Sequence, residues 1–227
     1  MRKTIWIALA AAVVLACPGA QARETQINVD LIGGYGILAT TVIDARAYET
    51  STTRNERAAH DSSFLRPGPV AGLGMTFRPR DTFVHFLYGF DFLVSRMTGQ
   101  FKGHFSSTLR EYYYEKTARL DTGQFDLLAG VGFGRAPFVP YIMAGLGIAT
   151  SNLKFDGVAG QEASGVVLNV VAGGDYYVLK WMSVGLQFRF SDMMGLRYFY
   201  SADKYHTVRF ETRAYPLLAA AKVGFHF

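Results

Sequence analysis

Apolar residues alternate with polar or small residues over segments of about ten residues, and this pattern restricts the folds open to the chain more than any other feature. Successive side chains of a β-strand point to opposite faces, so each segment predicts a strand with one apolar face. The clearest segment is VHFLYGFDFLV, which places six apolar side chains on one face: Val84, Phe86, Tyr88, Phe90, Phe92 and Val94.

Eight segments of this kind predict eight strands. In the segment 139–149 both faces are apolar or glycine, so its inward side stays unassigned. The predicted strands cover approximately 27–37, 70–77, 84–94, 125–133, 139–149, 166–176, 182–190 and the chain from about Thr212.

The connections between these segments alternate in length, which predicts antiparallel up-and-down hairpins. Three are tight turns, at Arg78–Asp81, Gly134–Pro137 and Leu179–Trp181. Four are predicted to be long loops, at about Thr40–Gly68, Arg96–Leu120, Ser151–Ala163 and Asp192–Glu211.

A closed barrel explains both the apolar faces and the missing helices. No stretch after residue 22 has 18 consecutive apolar residues, as a membrane-spanning helix would need. Lipid hydrocarbon cannot form hydrogen bonds with the backbone N–H and C=O groups at an open sheet edge. Strands therefore cross a bilayer only as a closed barrel. The predicted fold is therefore all-β, an eight-stranded antiparallel transmembrane barrel. A secreted soluble barrel or sandwich is the alternative, but unbroken Phe, Tyr, Val and Leu faces favour the membrane.

The first 22 residues are predicted to be a cleaved signal peptide, leaving residues 23–227 as the barrel domain. Arg2 and Lys3 precede a short apolar run, and Ala20-Gln21-Ala22 forms an A-x-A cleavage site before Arg23. The alternative is lipoprotein processing at Cys17, which is the only cysteine. Cleavage before Arg23 would leave no thiol for a disulfide, a metal site or nucleophilic catalysis.

The net charge is only weakly positive and does not argue for nucleic acid as a partner, so none is expected. The chain carries 23 basic and 18 acidic residues, a net charge of +5, and loss of Arg2 and Lys3 reduces it to +3. The sequence also has no metal-ligand spacing and no phosphate-binding loop, so no cofactor is expected.

The segment from Phe138 to Met193 carries the most specific family resemblance. A Pro-Tyr strand with spaced glycines, a Gly-rich strand, a tight turn and the run FRFS resemble small outer-membrane β-barrels of the OmpA transmembrane-domain, OmpX, opacity and OmpW-like group. The resemblance implies residence in a bacterial outer membrane, surrounded by its lipid. It also implies that Val223, Phe225 and Phe227 form the signal read by the outer-membrane assembly machinery.

Polar residues on the other face of the strands are predicted to line the lumen. An eight-stranded barrel is narrow enough for side chains to fill it, and buried charges need partners. An ion pair is predicted between Asp30 and Lys222, and a network linking Arg189 to Asp91. Inward glycines either permit tight curvature, the favoured interpretation, or leave a water path. The predicted lumen set is Asp30, His85, Asp91, Asp126, Asp175, Arg189, Lys222 and His226.

The loops are the predicted interaction surface, because aromatic and basic residues concentrate there. An aromatic and basic girdle at the membrane interface is the competing interpretation. The candidates are Arg96, Lys102, Arg110, Tyr112, Tyr113, Tyr114, Tyr198, Phe199 and Tyr200.

Three functions remain open from the sequence. A structural or adhesin-like monomer that binds a host or extracellular ligand is favoured, a narrow OmpW-like pore is the alternative, and an enzyme is the least favoured. The Ser–His neighbours in His60–Ser63 and His104–Ser107 lack an orienting acid, so no catalytic residue is predicted.

Overall fold

The computed structural model describes residues 25–49, 55–57, 61–62, 65–79, 83–106, 111–134, 137–155, 160–201 and 206–227. Eight long strands make the wall: β1 (Thr25–Glu49), β5 (Gly68–Pro79), β6 (Val84–Ser106), β7 (Glu111–Phe133), β8 (Phe138–Phe155), β9 (Gln161–Leu179), β10 (Met182–Ser201) and β11 (His206–His226). Three short strands are also present: β2 (Asn55–Arg57) and β3 (Asp61–Ser62) pair with β1, and β4 (Leu65–Arg66) pairs with β6.

The eight long strands form a closed antiparallel ring. Each pairs with its neighbour along the chain, and β1 pairs with β11 to complete the circle. The closing ladder includes Phe227, whose backbone N–H donates to the carbonyl of Ile27 at 2.9 Å. The prediction of an eight-stranded up-and-down barrel is confirmed. Within the described residues there is no helix with the length and hydropathy needed to cross a membrane.

The predicted long loops are mostly strand, which corrects the sequence interpretation. The β6–β7 ladder runs without a break from Val84↔Phe133 to Ser106↔Glu111, through most of the predicted loop Arg96–Leu120. Short connections join β5 to β6, β7 to β8 and β9 to β10, as predicted, but Arg78 and Pro79 of the first predicted turn belong to β5. The long hairpins were missed because the wall's outward residues become polar there, and the apolar alternation that marks a membrane strand stops.

The outer surface of the barrel is apolar over the part nearest the tight turns. Side chains such as Phe86, Phe188 and Leu146 are 60–72% exposed, while the alternate residues point into a filled interior. On β8 the structure settles the unassigned side, because Tyr141 and Met143 are buried and Ile142 is exposed. Apolar area exposed all around a closed sheet is stable only in contact with lipid. The fold is therefore that of an outer-membrane-type barrel.

Candidate functional site

Inside the barrel, Arg189 on β10 organises a buried polar cluster that we call the central layer. Its guanidinium donates to Asp126 on β7 at 2.6 Å and to Asp91 on β6. Gln124 and Asn169 donate to the Asp126 carboxylate at 2.6 and 2.7 Å. Arg189 and Asp126 have 1% and 0% of their side-chain surface exposed, so this ion pair is sealed from water.

A second cluster, the turn-side layer, lies closer to the tight turns. The Lys222 Nζ lies 3.5 Å from Asp30 and 2.9 Å from Asp175, and 4.6 Å from the centre of the Tyr141 ring. The predicted Asp30–Lys222 contact is thus present. Each layer surrounds one buried cation with two carboxylates, as buried charges require.

Below the turn-side layer, polar side chains fill the end of the lumen. Arg78 donates to the Tyr177 hydroxyl at 2.7 Å and lies 2.9 Å from the His85 Nε2. The His226 ring is 2.6 Å from the Asn28 amide oxygen and stacks on Tyr177 with centroids 4.6 Å apart. Both histidines have neighbouring polar groups within hydrogen-bond distance.

Every lumen aspartate of the two layers lies beside a glycine on the neighbouring strand. The backbone ladder pairs Asp30 with Gly224, Asp91 with Gly74, Asp126 with Gly147, and Asp175 with Gly185. A Cβ at any of these glycines would overlap the carboxylate, for instance at 2.5 Å from Asp91 Oδ1 for Gly74. These glycines therefore make room for the carboxylates of the ionic layers. This role differs from both interpretations made from the sequence, which were tight curvature and a water path.

Apolar side chains fill the space around the ionic layers. One cluster joins Ile32, Val70 and Leu93 with Leu218 and Ala220, and a second surrounds Tyr141 and Val171. Cavities of about 30 Å³ beside Arg189 and about 20 Å³ beside Lys222 remain. A water needs about 10–15 Å³ by the same measure, so each cavity has room for only a water or two and neither is a channel.

The structure places all eight predicted lumen residues inside the barrel and buried. Sequence reasoning did not include several other members of these lumen networks: Arg78, Tyr141, Tyr177, Gln124 and Ser191. Arg78 was assigned to a tight turn, and Tyr141 lies in the strand whose inward side was unassigned. The alternation of β7 and β10 would have identified Gln124 and Ser191, which are in register with Asp126 and Arg189.

Tyr198 was predicted to be an exposed interaction residue, and this is wrong. Its side chain is fully buried, and its hydroxyl lies 2.5 Å from that of Ser151. A β-bulge between Met193 and Leu196, where Gly195 has a φ of +78°, shifts the alternation of β10 by one residue and turns Tyr198 into the interior. Arg110, Ala22 and Arg23 lie outside the described residues, as do the side chains of Lys102, Tyr112, Tyr113, Tyr114, Phe199 and Tyr200.

Of the predicted assembly signal, Val223 and Phe225 lie on the outside of β11, and Phe227 follows the last residue of that strand. Val223 and Phe227 are 36% and 73% exposed, and Phe225 stacks on Trp181 at a centroid distance of 6.3 Å. Recognition by assembly machinery remains a prediction.

Where the apolar exterior ends on β6 and β7, three charged residues form an outward cluster. Asp121 accepts from the Nε atoms of Arg96 and Arg119 at 2.8 and 3.0 Å, and Arg119 adds a second contact at 2.9 Å. Partial burial disfavours the Asp121 anion, but hydrogen bonds and charge from the two arginines outweigh it and lower the pKa of Asp121. Arg96 is thus an outward wall residue rather than a loop residue.

No potential metal site, meaning three or more His, Cys, Asp or Glu side chains in reach of one ion, occurs among the described residues. Neither layer contains a nucleophile held by a general base in a cleft open to substrate. The arrangement is one of packing and charge neutralisation.

Comparison with protein-family models gives no match, and neither does comparison with curated protein sequences. Solved structures resemble the chain at low identity. Neisserial surface protein A aligns over 88% of this chain and 96% of its own, with 14% identity and a TM-score of 0.44. Outer membrane protease OmpT from Escherichia coli aligns over 91% and 98%, with 9% identity and a TM-score of 0.48.

The N-terminal β-barrel domain of Pseudomonas aeruginosa OprF aligns over 89% of this chain and 97% of its own, with 13% identity and a TM-score of 0.44. Likeness at these values concerns the fold alone, and no activity is carried to this chain from it.

Proposed function

We propose that this protein is an integral barrel of the bacterial outer membrane with a structural and surface-interaction role, and that it does not conduct solutes. The filled lumen is the observation that carries the proposal. Two buried ionic layers, each linking several strands, block the axis within the bilayer segment. The tight turns then face the periplasm, and the long hairpins project outward.

The test of the closed lumen is single-channel recording of the folded protein in planar bilayers. We expect no reproducible conductance steps. Reproducible conductance steps from the folded wild-type protein would establish the narrow pore instead.

The β6–β7 hairpin supports the surface role, because its strands continue well past the apolar exterior as a paired ribbon. The ladder continues ten residue pairs beyond Arg96↔Asp121, as far as Ser106↔Glu111. At about 3.4 Å per residue this is a projection of about 34 Å along the strands. A ribbon of that length offers backbone edges and side chains to an external partner.

The ribbon can be removed without touching the barrel wall. Replacing residues 101–116 by Asn-Gly keeps the pair Gln100↔Thr117 and gives a two-residue hairpin turn. We expect the shortened protein to insert normally and to lose adhesion of whole cells to host surfaces or matrix ligands. The matched control replaces residues 202–205, between β10 and β11, by Asn-Gly. Unchanged adhesion after removal of the ribbon would reject this role.

A further inference from the structure

A row of basic side chains lies on the outside of the wall, on four adjacent strands. We call Arg66, Arg96, Arg119 and Lys154 the basic row. The ladder pairs Arg66 with Thr98, Thr98 with Arg119, and Arg119 with Lys154, while Arg96 lies one outward position nearer the apolar surface. With strands about 4.8 Å apart, Arg66 and Lys154 are separated by about 14 Å across the wall.

The row is exposed and carries net positive charge. Arg66 and Lys154 are exposed, and the side chains of Arg96 and Arg119 are 57% and 38% exposed. Two acids, Asp121 and Glu162, lie at the same height of the wall. Four basic and two acidic side chains leave a local charge of +2 at neutral pH.

Asp121 fixes the orientation of the two central arginines. It contacts Arg96 through Nε, which leaves both terminal NH₂ groups outside that contact. It contacts Arg119 through Nε and one terminal nitrogen, which leaves the other NH₂ group. A guanidinium held in this way presents planar donors that match phosphate oxygens, at a lower entropic cost than a free arginine.

The position of the row identifies what kind of phosphate it meets. On the same outer face, Val94 lies one outward position below Arg96, and Phe92 and Ile148 lie one outward position further down. All three are 38–49% exposed and face lipid chains. A ligand that has phosphates at the height of the row and acyl chains below it contacts both surfaces at once. We infer that the basic row binds the headgroup of a lipid carrying more than one phosphate, in the leaflet on the hairpin side.

Binding of diphosphorylated lipid A to the folded full chain in detergent micelles tests this inference, with monophosphorylated lipid A and phosphatidylcholine as matched probes. We expect tighter binding of the diphosphorylated form, and a loss of at least tenfold in Arg96→Gln/Arg119→Gln. Raising the salt concentration should shrink the difference, because exposed charges are screened. Inorganic phosphate at the same concentration should not displace the lipid.

Arg197→Gln is the control, since Arg197 is an exposed arginine on β10, away from the row. An equal loss in this variant would overturn the inference, as would equal binding of the two lipid A forms or displacement by inorganic phosphate. Heat-dependent migration on gels reports whether each variant folds. If the double variant does not fold, Arg66→Gln/Lys154→Gln replaces it, because neither residue contacts Asp121 in the triad, and unchanged affinity there would refute the site.

The inference does not depend on the proposed surface role. Removal of residues 101–116 leaves all four basic residues in place, so lost adhesion with retained lipid binding would separate the two.

Discussion

Arginine meets aspartate both in the lumen and on the outer wall of this barrel, through contacts of similar length in the Arg189–Asp126 and Arg96–Asp121 pairs. Arg189 lies 2.6 Å from Asp126, and Arg96 lies 2.8 Å from Asp121. Their surroundings differ completely, because the lumen pair is sealed and the Arg96 side chain is 57% exposed. Two ion pairs of similar length are therefore expected to contribute differently to the stability of the barrel.

In the lumen, burial removes the hydration of every charged side chain. Each ion-pair partner is therefore needed to offset the desolvation cost of the others. On the wall, water and salt screen the charges, and an exposed pair contributes little to stability. The lumen charges should then hold the barrel together, while the wall charges are free to serve recognition. The following substitutions test that division.

The largest effect is expected for Arg189→Met, which leaves Asp91 and Asp126 buried without their cation. Breaking a buried ion pair on one side costs about 3–5 kcal/mol. Urea unfolding in detergent micelles, followed by heat-dependent gel migration, should show that loss. The triple variant with Asp91→Asn and Asp126→Asn should recover most of it, since no uncompensated charge remains. A loss below about 1 kcal/mol for Arg189→Met would remove the distinction between lumen and wall.

A smaller loss is expected for Gly147→Val, which fills the space beside Asp126. The new side chain would displace the carboxylate and strain the central layer, and overpacking of this kind costs about 1–3 kcal/mol. Gly33→Val is the matched control, because a Cβ at Gly33 meets nothing within 4 Å. Equal unfolding midpoints for the two variants would show that the glycine opposite each aspartate has no packing role.

The sequence predicted the strand number, the short connections and the inward faces of all long strands except β8, since alternation is a local property of the chain. It also predicted the Asp30–Lys222 contact, because closure of the barrel fixes which strands meet. It predicted the link between Arg189 and Asp91, which the structure shows, but not the contact of Arg189 with Asp126, since contacts across the lumen depend on side-chain length and strand stagger. Tyr198 was misassigned because a β-bulge between Met193 and Leu196 shifts the inward face of β10 by one residue, and the alternation of the sequence does not mark that bulge.

On the wall, Arg119→Met should change the free energy of unfolding by no more than about 1 kcal/mol, as for other exposed ion pairs. The same denaturation experiment in the same detergent allows direct comparison with Arg189→Met, which makes an identical chemical change. A cost for Arg119→Met equal to that of Arg189→Met would mean that the outer cluster is structural, and would weaken its assignment to recognition.

The smallest expected effect is a pH dependence from Asp121. Its pKa in the folded protein is below the ordinary value of 3.8, so its contribution to stability is complete above that value and is lost as the pH falls below it. Asp121→Asn removes this contribution, so the stability difference between wild type and variant should be constant from pH 7 to about pH 5 and should shrink at about pH 3. Taking the difference between two proteins cancels the titration of the lumen carboxylates, which both share. A difference that grows as the pH falls would mean that the two arginines do not stabilise the Asp121 anion, and that their orientation at the lipid surface has another cause.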